Sequence, residues 1–332
     1  MRKIKLLAIV LTLVMTLGLV TGCAGKKEGD KGGDAASKYP EKPVNMVIAF
    51  TAGGSSDIQA RIMQKYWNKY VPNQPWVFVY KPGAGGAIGF TEIAKAKADG
   101  YTIGGVNVPH MNLQPLGQGA QFSVDQFDYI AQVVNDPQVI VVRKDSKYKS
   151  VQEIIDYAKA NPGKFKMGIV GTFTGHHLTL LDLQDKTGIQ VAQIAYKGAA
   201  DQNAALLGGE LDAMVGNYND VMRSLDSMTI LGIATEEKYE PLPDVPTLKE
   251  LGVNVVSDIR RGFVAPKGIP EASLTFLRDT FEKICTDPDY IKDMEKAGQP
   301  HEYMNGSEFE KFVMGENERA KELLTKYDLL KK

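Results

Sequence analysis

Three short stretches place glycines and hydroxyl side chains where an apolar run gives way to a helical pattern: TAGGSSD (51–57), KPGAGGAIGF (81–90) and GIVGTFTGHHL (168–178). At a strand-to-helix corner the first amide N–H groups of the helix lack partners within it, and the aligned peptide dipoles add partial positive charge. Gly53 and Gly54 clear side chains from those amides, and Ser55 and Ser56 can cap the helix or bond a ligand. The chemistry open to such a corner is the binding of an anion. A capped tight turn with no ligand uses the same residues.

Spacing narrows the anion. A dinucleotide fingerprint needs G-x-G-x-x-G and a Walker loop needs a lysine after its second glycine; TAGGSSD has neither. Asp57 would also repel a polyphosphate, whereas a small carboxylate held by backbone N–H groups, with water between it and Asp57, fits. The second corner carries glycines at 83, 85, 86 and 89, with Ile88 in the sixth place of the dinucleotide pattern. It makes another turn of exposed amides, and ligands of open α/β sheets bind at the carboxyl ends of strands. The third gathers Gly171, Thr172, Thr174 and Gly175. His176 and His177 beside it are adjacent on a helix, about 100° apart, with no Cys or carboxylate at ligand spacing. They read as helix-entry or ligand-contact residues, and no metal or cofactor is expected. G-x-S-x-G is absent and the four histidines include no evident triad partner, so no enzyme is expected either.

The elements that must position these corners alternate. Strands are predicted at 44–50, 76–80 and 101–106, with helices at 57–70 and 90–98; Ile58, Ile62, Tyr66 and Tyr70 form the inner face of the first helix. Residues 129–134 and 138–143 form an apolar ribbon broken at Asn135-Asp136-Pro137. A second set follows: helices at 151–160, 177–187 and 201–207, strands at 166–170, 191–196, 211–215 and 230–234. A proline-punctuated loop (241–252), a segment at 253–270 and three helical patterns complete the chain. This alternation implies parallel sheets covered on both faces, in two similar α/β halves with two passages between them.

Composition bounds the rest. Arg2, Lys3 and Lys5 precede the apolar run LLAIVLTLVMTLGLV (6–20), too short for a comfortable bilayer span, so residues 1–22 read as a signal segment. Val20-Thr21-Gly22-Cys23 resembles a bacterial lipobox, with Cys23 as the lipidated residue, and the charged, glycine-rich stretch 23–38 reads as a flexible tether to the lipid bilayer. Only Cys285 then remains, which excludes an intramolecular disulfide. The formal charge of −1, and the absence of a basic stripe with interleaved aromatics, argue against nucleic acid.

Five segments carry a family resemblance: PVNMVIAFTAGGSSDIQAR (43–61), VYKPGAGGAIGFTEIAKAKADGYTIG (79–104), IAYKGAADQNAALLGGELDAM (194–214), LPDVPTLKELG (242–252) and GFVAPKGIPEA (262–272). In them the chain resembles the substrate-binding proteins of tripartite tricarboxylate transporters, the Bug-type receptors. The resemblance implies an α/β, two-domain, periplasmic-binding-protein-like fold (type II, Venus flytrap) with a ligand cleft between domains and two crossing hinge segments. Domain 1 would take 40–136 and 236–332, and domain 2 would take 137–235. It implies a ligand held by Thr51, Ala52, Gly53, Gly54, Ser55 and Asp57 on one side and Ala84, Gly85 and Gly86 on the other. Domain 2 would add Gly171, Thr172, Thr174 and Asn217.

Where the family has an aromatic, Arg260 and Arg261 stand before Gly262. They read either as a solvated pair on a loop or as a source of one guanidinium, Arg261, for a second ligand carboxylate. The function implied is an extracytoplasmic receptor, lipid-anchored to the bacterial cell membrane. It would capture a small organic carboxylate as a monomer and deliver it to the membrane permease subunits of a tripartite transporter. A receptor for another transporter or a sensor, and a lipid-anchored hydrolase, are the alternatives. Citrate-like, dicarboxylate, amino-acid and aromatic acids all suit such corners.

Overall fold

The computed structural model describes residues 39–331; the expected signal segment (1–22), Cys23 and the tether (23–38) lie outside the described residues. Val44–Ile48 (β1) is buried at every position except Asn45, as a strand covered on both faces must be. It leads through the first glycine corner into Ser55–Tyr70 (α1). β1 lies between Trp76–Tyr80 (β2) and Thr102–Val108 (β3), all parallel. Ala87–Ala94 (α2) follows the second corner, and His110–Leu113 (α3) follows β3.

The inner stripe of α1 is Ala60, Met63, Tyr66 and Trp67, so of the expected Ile58–Ile62–Tyr66–Tyr70 line only Tyr66 is buried. Trp67 decides this. It is fully buried, with ring centroids 5.3 Å from Trp76 and 6.4 Å from Phe281. Burying so large a ring outweighs burying Ile58 or Ile62, and Tyr70 is left 40% exposed, its hydroxyl bonded to Asp287.

Phe127–Arg143 (β4) runs unbroken through Asn135-Asp136-Pro137. The proline is tolerated because the strand changes partners there. Residues up to Pro137 pair with Asp258–Pro266 (β9), and those from Gln138 onward pair with Ala213–Asn217 (β7). Lys166–Val170 (β5) lies parallel to both β7 and Ala192–Tyr196 (β6). Met228–Ile233 (β8) and His301–Asn305 (β10) also pair with β4. The strand order is β2-β1-β3-β9-β4-β7-β5-β6. This is the α/β architecture expected: two strand sets joined along β4, with the chain returning to the first set at β9.

Each set has its own packing. Val151–Ala160 (α4) and Gly175–Thr187 (α5) cover one face of the second set, and Ala199–Leu207 (α6) and Tyr218–Val221 (α7) the other. In the first set, α1 packs with Glu271–Cys285 (α8) and Pro288–Lys296 (α9) on one face. α2, α3 and Gly306–Lys326 (α10) take the opposite face. Leu248, Val253 and Val255 pack in the second set, so the chain stays with it until Ser257, whose N–H donates to Ala234 O.

Trp67→Ala removes the ring that joins α1 to β2 and α8. We expect a loss of about 3–5 kcal/mol in urea unfolding; a loss below about 1 kcal/mol would show that these helices are held by other contacts.

Candidate functional site

The carboxyl ends of strands from both sets meet around one small cavity of about 20 Å³. From the first set come Phe50, Gly54, Ser55 and Ser56 after β1, Asn107 and His110 at the end of β3, and Arg261 of β9. The second set supplies Val170 and His176 around the β5–α5 corner, Ala199 at the start of α6, and Asn217 and Asp220 after β7. The space exceeds the ~10–15 Å³ that one water needs. It is far below the ~300 Å³ at which small-molecule pockets begin. Side chains of the two sets fill what lies between.

The first corner works as its residues dictate. Ser55 and Ser56 open α1 at the cavity wall, and no side chain caps the first turn. Asp57 turns back instead of facing the cavity. Its Oδ2 accepts from Gly53 N at 2.7 Å, and its Oδ1 accepts from Arg61 Nε at 3.0 Å and Tyr80 OH at 2.6 Å. Ala52 and Gly53 are exposed. Thr51 lies under Gly198, with its hydroxyl buried and without a partner.

A relay of hydrogen bonds forms the opposite wall. Val170 N donates to His176 Nδ1 at 3.2 Å, which leaves the proton on Nε2 to reach Asn217 Oδ1 at 2.9 Å. Asn217 Nδ2 donates to Asp220 Oδ2 at 2.9 Å, and Ser55 Oγ donates to Asp220 Oδ1 across the gap. Burial lowers the pKa of His176, and that of His110 well below the ordinary value, so both imidazoles are neutral at pH 7.

Arg261 lies not on a loop but within β9, opposite Asn107 of β3 and Val134 of β4, and is 1% exposed. Its Nη2 donates to Asp136 Oδ2 at 2.7 Å, while Nε and Nη1 are buried without partners. Burial pushes the Asp136 carboxyl up to about 7 against the pull of the Arg261 guanidinium. Arg260 points the other way, bonded to Glu302 at 2.7 Å and stacked on Phe312.

The second corner and the 171–174 turn of the third meet each other beside this cavity and do not line it, whereas Val170 and His176 at the two ends of that turn do. Gly83, Ala84, Gly85 and Gly86 all have positive φ. A Cβ on Gly85 would stand 2.7 Å from Thr172 O, and one on Gly171 would stand 2.5 Å from Gly85 Cα. Gln114 Nε2 ties them together, donating to Gly85 O, Thr172 O and Phe173 O at 2.8–3.2 Å. Gly86 packs on Phe90 and on Phe50, which lines the cavity. Thr174 caps α5, accepting from His177 N at 3.2 Å.

The tripartite tricarboxylate transporter family receptor model matches residues 60–329. The chain belongs to this family. A curated relative from Cupriavidus necator, "UPF0065 protein in gbd 5'region", is 34% identical over 89% of this chain and 90% of its own length. "Protein BugT" of Bordetella pertussis is 30% identical over 70% of this chain and 73% of its own. The solved structure of the periplasmic binding protein BugD is 28% identical. It superposes with a TM-score of 0.83, covering 89% of this chain and 100% of that one. The fold is therefore that of the periplasmic binding proteins.

In this receptor-family chain, sequence reasoning singled out Gly54, Ser55, Asn217 and Arg261, which line the cavity. Ala84, Gly85, Gly86, Gly171, Thr172 and Thr174 form the neighbouring contact between corners. Asn107, His110, Gln114, His176 and Asp220 were not among the expected binding residues. Each is an isolated polar residue with no spacing signature, apart from His176, which the third corner had offered as a helix-entry or contact residue. Among the described residues no group of three His, Cys, Asp or Glu could hold a metal, and no helix is long and apolar enough to cross a membrane.

Gly85→Ala forces a φ of +63° on alanine and drives a methyl into Thr172 O, so the two corners must separate. We expect a larger radius of gyration by small-angle scattering and a melting point lower by several degrees. Unchanged values in both would show that this contact does not hold the halves together.

Burial lowers the His177 pKa to about 4. The folded value lies below the unfolded 6.5, so its neutral form contributes stability that is present above pH 6.5 and lost as pH falls towards 4. The contribution is about 3 kcal/mol. Asp136, whose folded value is raised, acts oppositely: its stabilisation is present below about 4 and lost as pH rises through 7. Urea midpoints of His177→Gln should fall less than wild type between pH 6.5 and 4; parallel curves would refute the assignment to His177.

Proposed function

We propose that this chain is an extracytoplasmic receptor, anchored by lipid at Cys23, that captures a small organic carboxylate and presents it to the membrane subunits of a tripartite transporter. It acts as a monomer and without catalysis. One observation carries the reading: Arg261 brings two buried, unpartnered guanidinium N–H groups to the cavity where the uncapped start of α1 also arrives. Both favour negative charge. A carboxylate at Ser55 and Ser56, with a second group at Arg261, fits that pair of donors. The remaining predicted residues, Thr51 to Asp57, Ala84 to Gly86, and Gly171, Thr172 and Thr174, shape and close the entrance around it.

Entry requires the two halves to part. Gln114 to the Thr172 carbonyl, and the side-chain pairs Asn219–Gln299 and Lys326–Asp185, are hydrogen bonds between opposite sets, and each must open. Residues 40–136 with the C-terminal part form one domain and the segment from 137 the other, rotating about β4 near Pro137 and a return crossing near Ser257. A ligand shifts that balance only through contacts better made when closed, so groups from both halves must touch it.

A thermal-shift screen of mono-, di- and tricarboxylates on the full chain tests this. A midpoint that rises with ligand concentration is expected for at least one acid. Arg261→Lys keeps the charge opposite Asp136 but loses the planar fork, and should weaken a dicarboxylate at least tenfold more than its monocarboxylate counterpart. A flat screen across all acids would remove the reading.

A further inference from the structure

The cavity holds a second charge that the capture of a carboxylate does not use. Asp220 is 2% exposed and has no cation within ion-pair distance among the described residues. Its oxygens accept only from neutral groups: Ser55 Oγ of the first half and Asn217 Nδ2 of its own half. His176, one step further along the relay, is kept neutral by burial. Arg261, the cation that the first set contributes to the cavity, is already bonded to Asp136. A buried carboxylate satisfied only by neutral donors is costly, and a cation placed against it is correspondingly favoured.

The Ser55–Asp220 bond joins cavity-lining residues of the two halves, and a guest entering between them displaces it. The bond ties the start of α1 to α7 across the gap, and Ser55 is the residue whose backbone opens the anion-binding corner. Once the halves part and a guest enters, Asp220 Oδ1 loses its partner. A second carboxylate there would meet like charge in a dry site. A donor restores the bond, and a positively charged donor also supplies the missing counter-charge.

We infer that Asp220 is a specificity-determining residue that selects a zwitterionic ligand: a carboxylate bearing an ammonium group on an adjacent carbon, as in an α-amino acid. The inference rests on the carboxylate-receptor reading above. The carboxylate lies at the start of α1, the ammonium replaces the Ser55 hydroxyl at Asp220, and the Arg261 donors face the remainder of the molecule. Rejection of the ligand lacking the amino group follows from the same geometry, because it leaves Asp220 buried with an oxygen unpaired.

Calorimetric titration of the full chain with matched pairs tests it: alanine and propionate, aspartate and succinate, glutamate and glutarate, with malate as the hydroxyl analogue of aspartate. We expect the amino member of the best pair to bind at least tenfold tighter than its partner, and malate to bind less tightly than aspartate. Asp220→Asn should erase that preference, weakening the amino acid tenfold or more while leaving the plain acid equal or tighter. Ser55→Ala removes the competing hydroxyl but keeps the Asp220 carboxylate and the backbone N–H at the start of α1, so it should tighten the amino acid relative to the plain acid and serves if Asp220→Asn does not fold. Equal binding of both members, malate matching aspartate, or an equal loss for all ligands in Asp220→Asn overturns the inference and leaves the receptor reading standing. Failure of every organic acid to bind removes the receptor reading itself, and the inference with it.

Discussion

A guanidinium shut away from water must find its counter-charge inside the protein, and the pair Arg261–Asp136 sets much of this structure. Arg261 is on β9 and Asp136 on β4, one residue before the proline at which β4 passes from one strand set to the other. The ion pair thus fastens the strand that returns to the first half against the strand that leaves it. Removing one partner alone would strand a buried charge, at a cost of about 3–5 kcal/mol. The same constraint aims the rest of the guanidinium into the cavity, so hinge and binding wall share one side chain.

Around that fixed point the halves are held by contacts of another kind. Gln114 reaches the carbonyls of Thr172 and Phe173, Gln299 joins Ser55 O and Asn219, and Lys326 on α10 reaches Asp185 on α5. Each such hydrogen bond contributes about 0.5–1.5 kcal/mol net, because water replaces it when the halves part. The Arg261–Asp136 bond joins two strands that stay paired when the halves part, whereas these cross-half bonds must open. That division is what a receptor needs. A ligand competes with a few weak bonds, while the strands that position its partners stay where they are.

Much of the fold was legible in local pattern. Lys166–Val170 and Val151–Ala160 have the expected bounds, since an apolar run closed by glycines and an amphipathic stretch between Ser150 and Asn161 leave little choice. Patterns failed where a distant partner decided the outcome. Asp136-Pro137 reads as a break, yet the strand continues because no ladder bond is required of Pro137 at the change of partners. Arg260-Arg261 reads either as a solvated pair or as a source of one guanidinium for the cleft, and only Asp136 across the sheet decides that Arg261 is interior and Arg260 is not. β10, five residues of mixed polarity, became a strand only because the edge of β4 was open to it.

For the site the same line divides what each level decided. The sequence alone determined that certain corners would present backbone donors at helix starts, because glycine spacing and capping residues are properties of neighbours in the chain. Motifs between residues 43 and 272 also carried the family resemblance that the family model over residues 60–329 bears out. Only the tertiary structure decided which corners share a cavity, and that Asn107, His110, His176 and Asp220 stand around it. Asn107 and His110, three positions apart, lie tens of positions from His176 and Asp220, and only His176 sat in a stretch whose pattern pointed to it. They meet because the strand order and the closing of two halves bring them together, and neither is encoded in any short stretch.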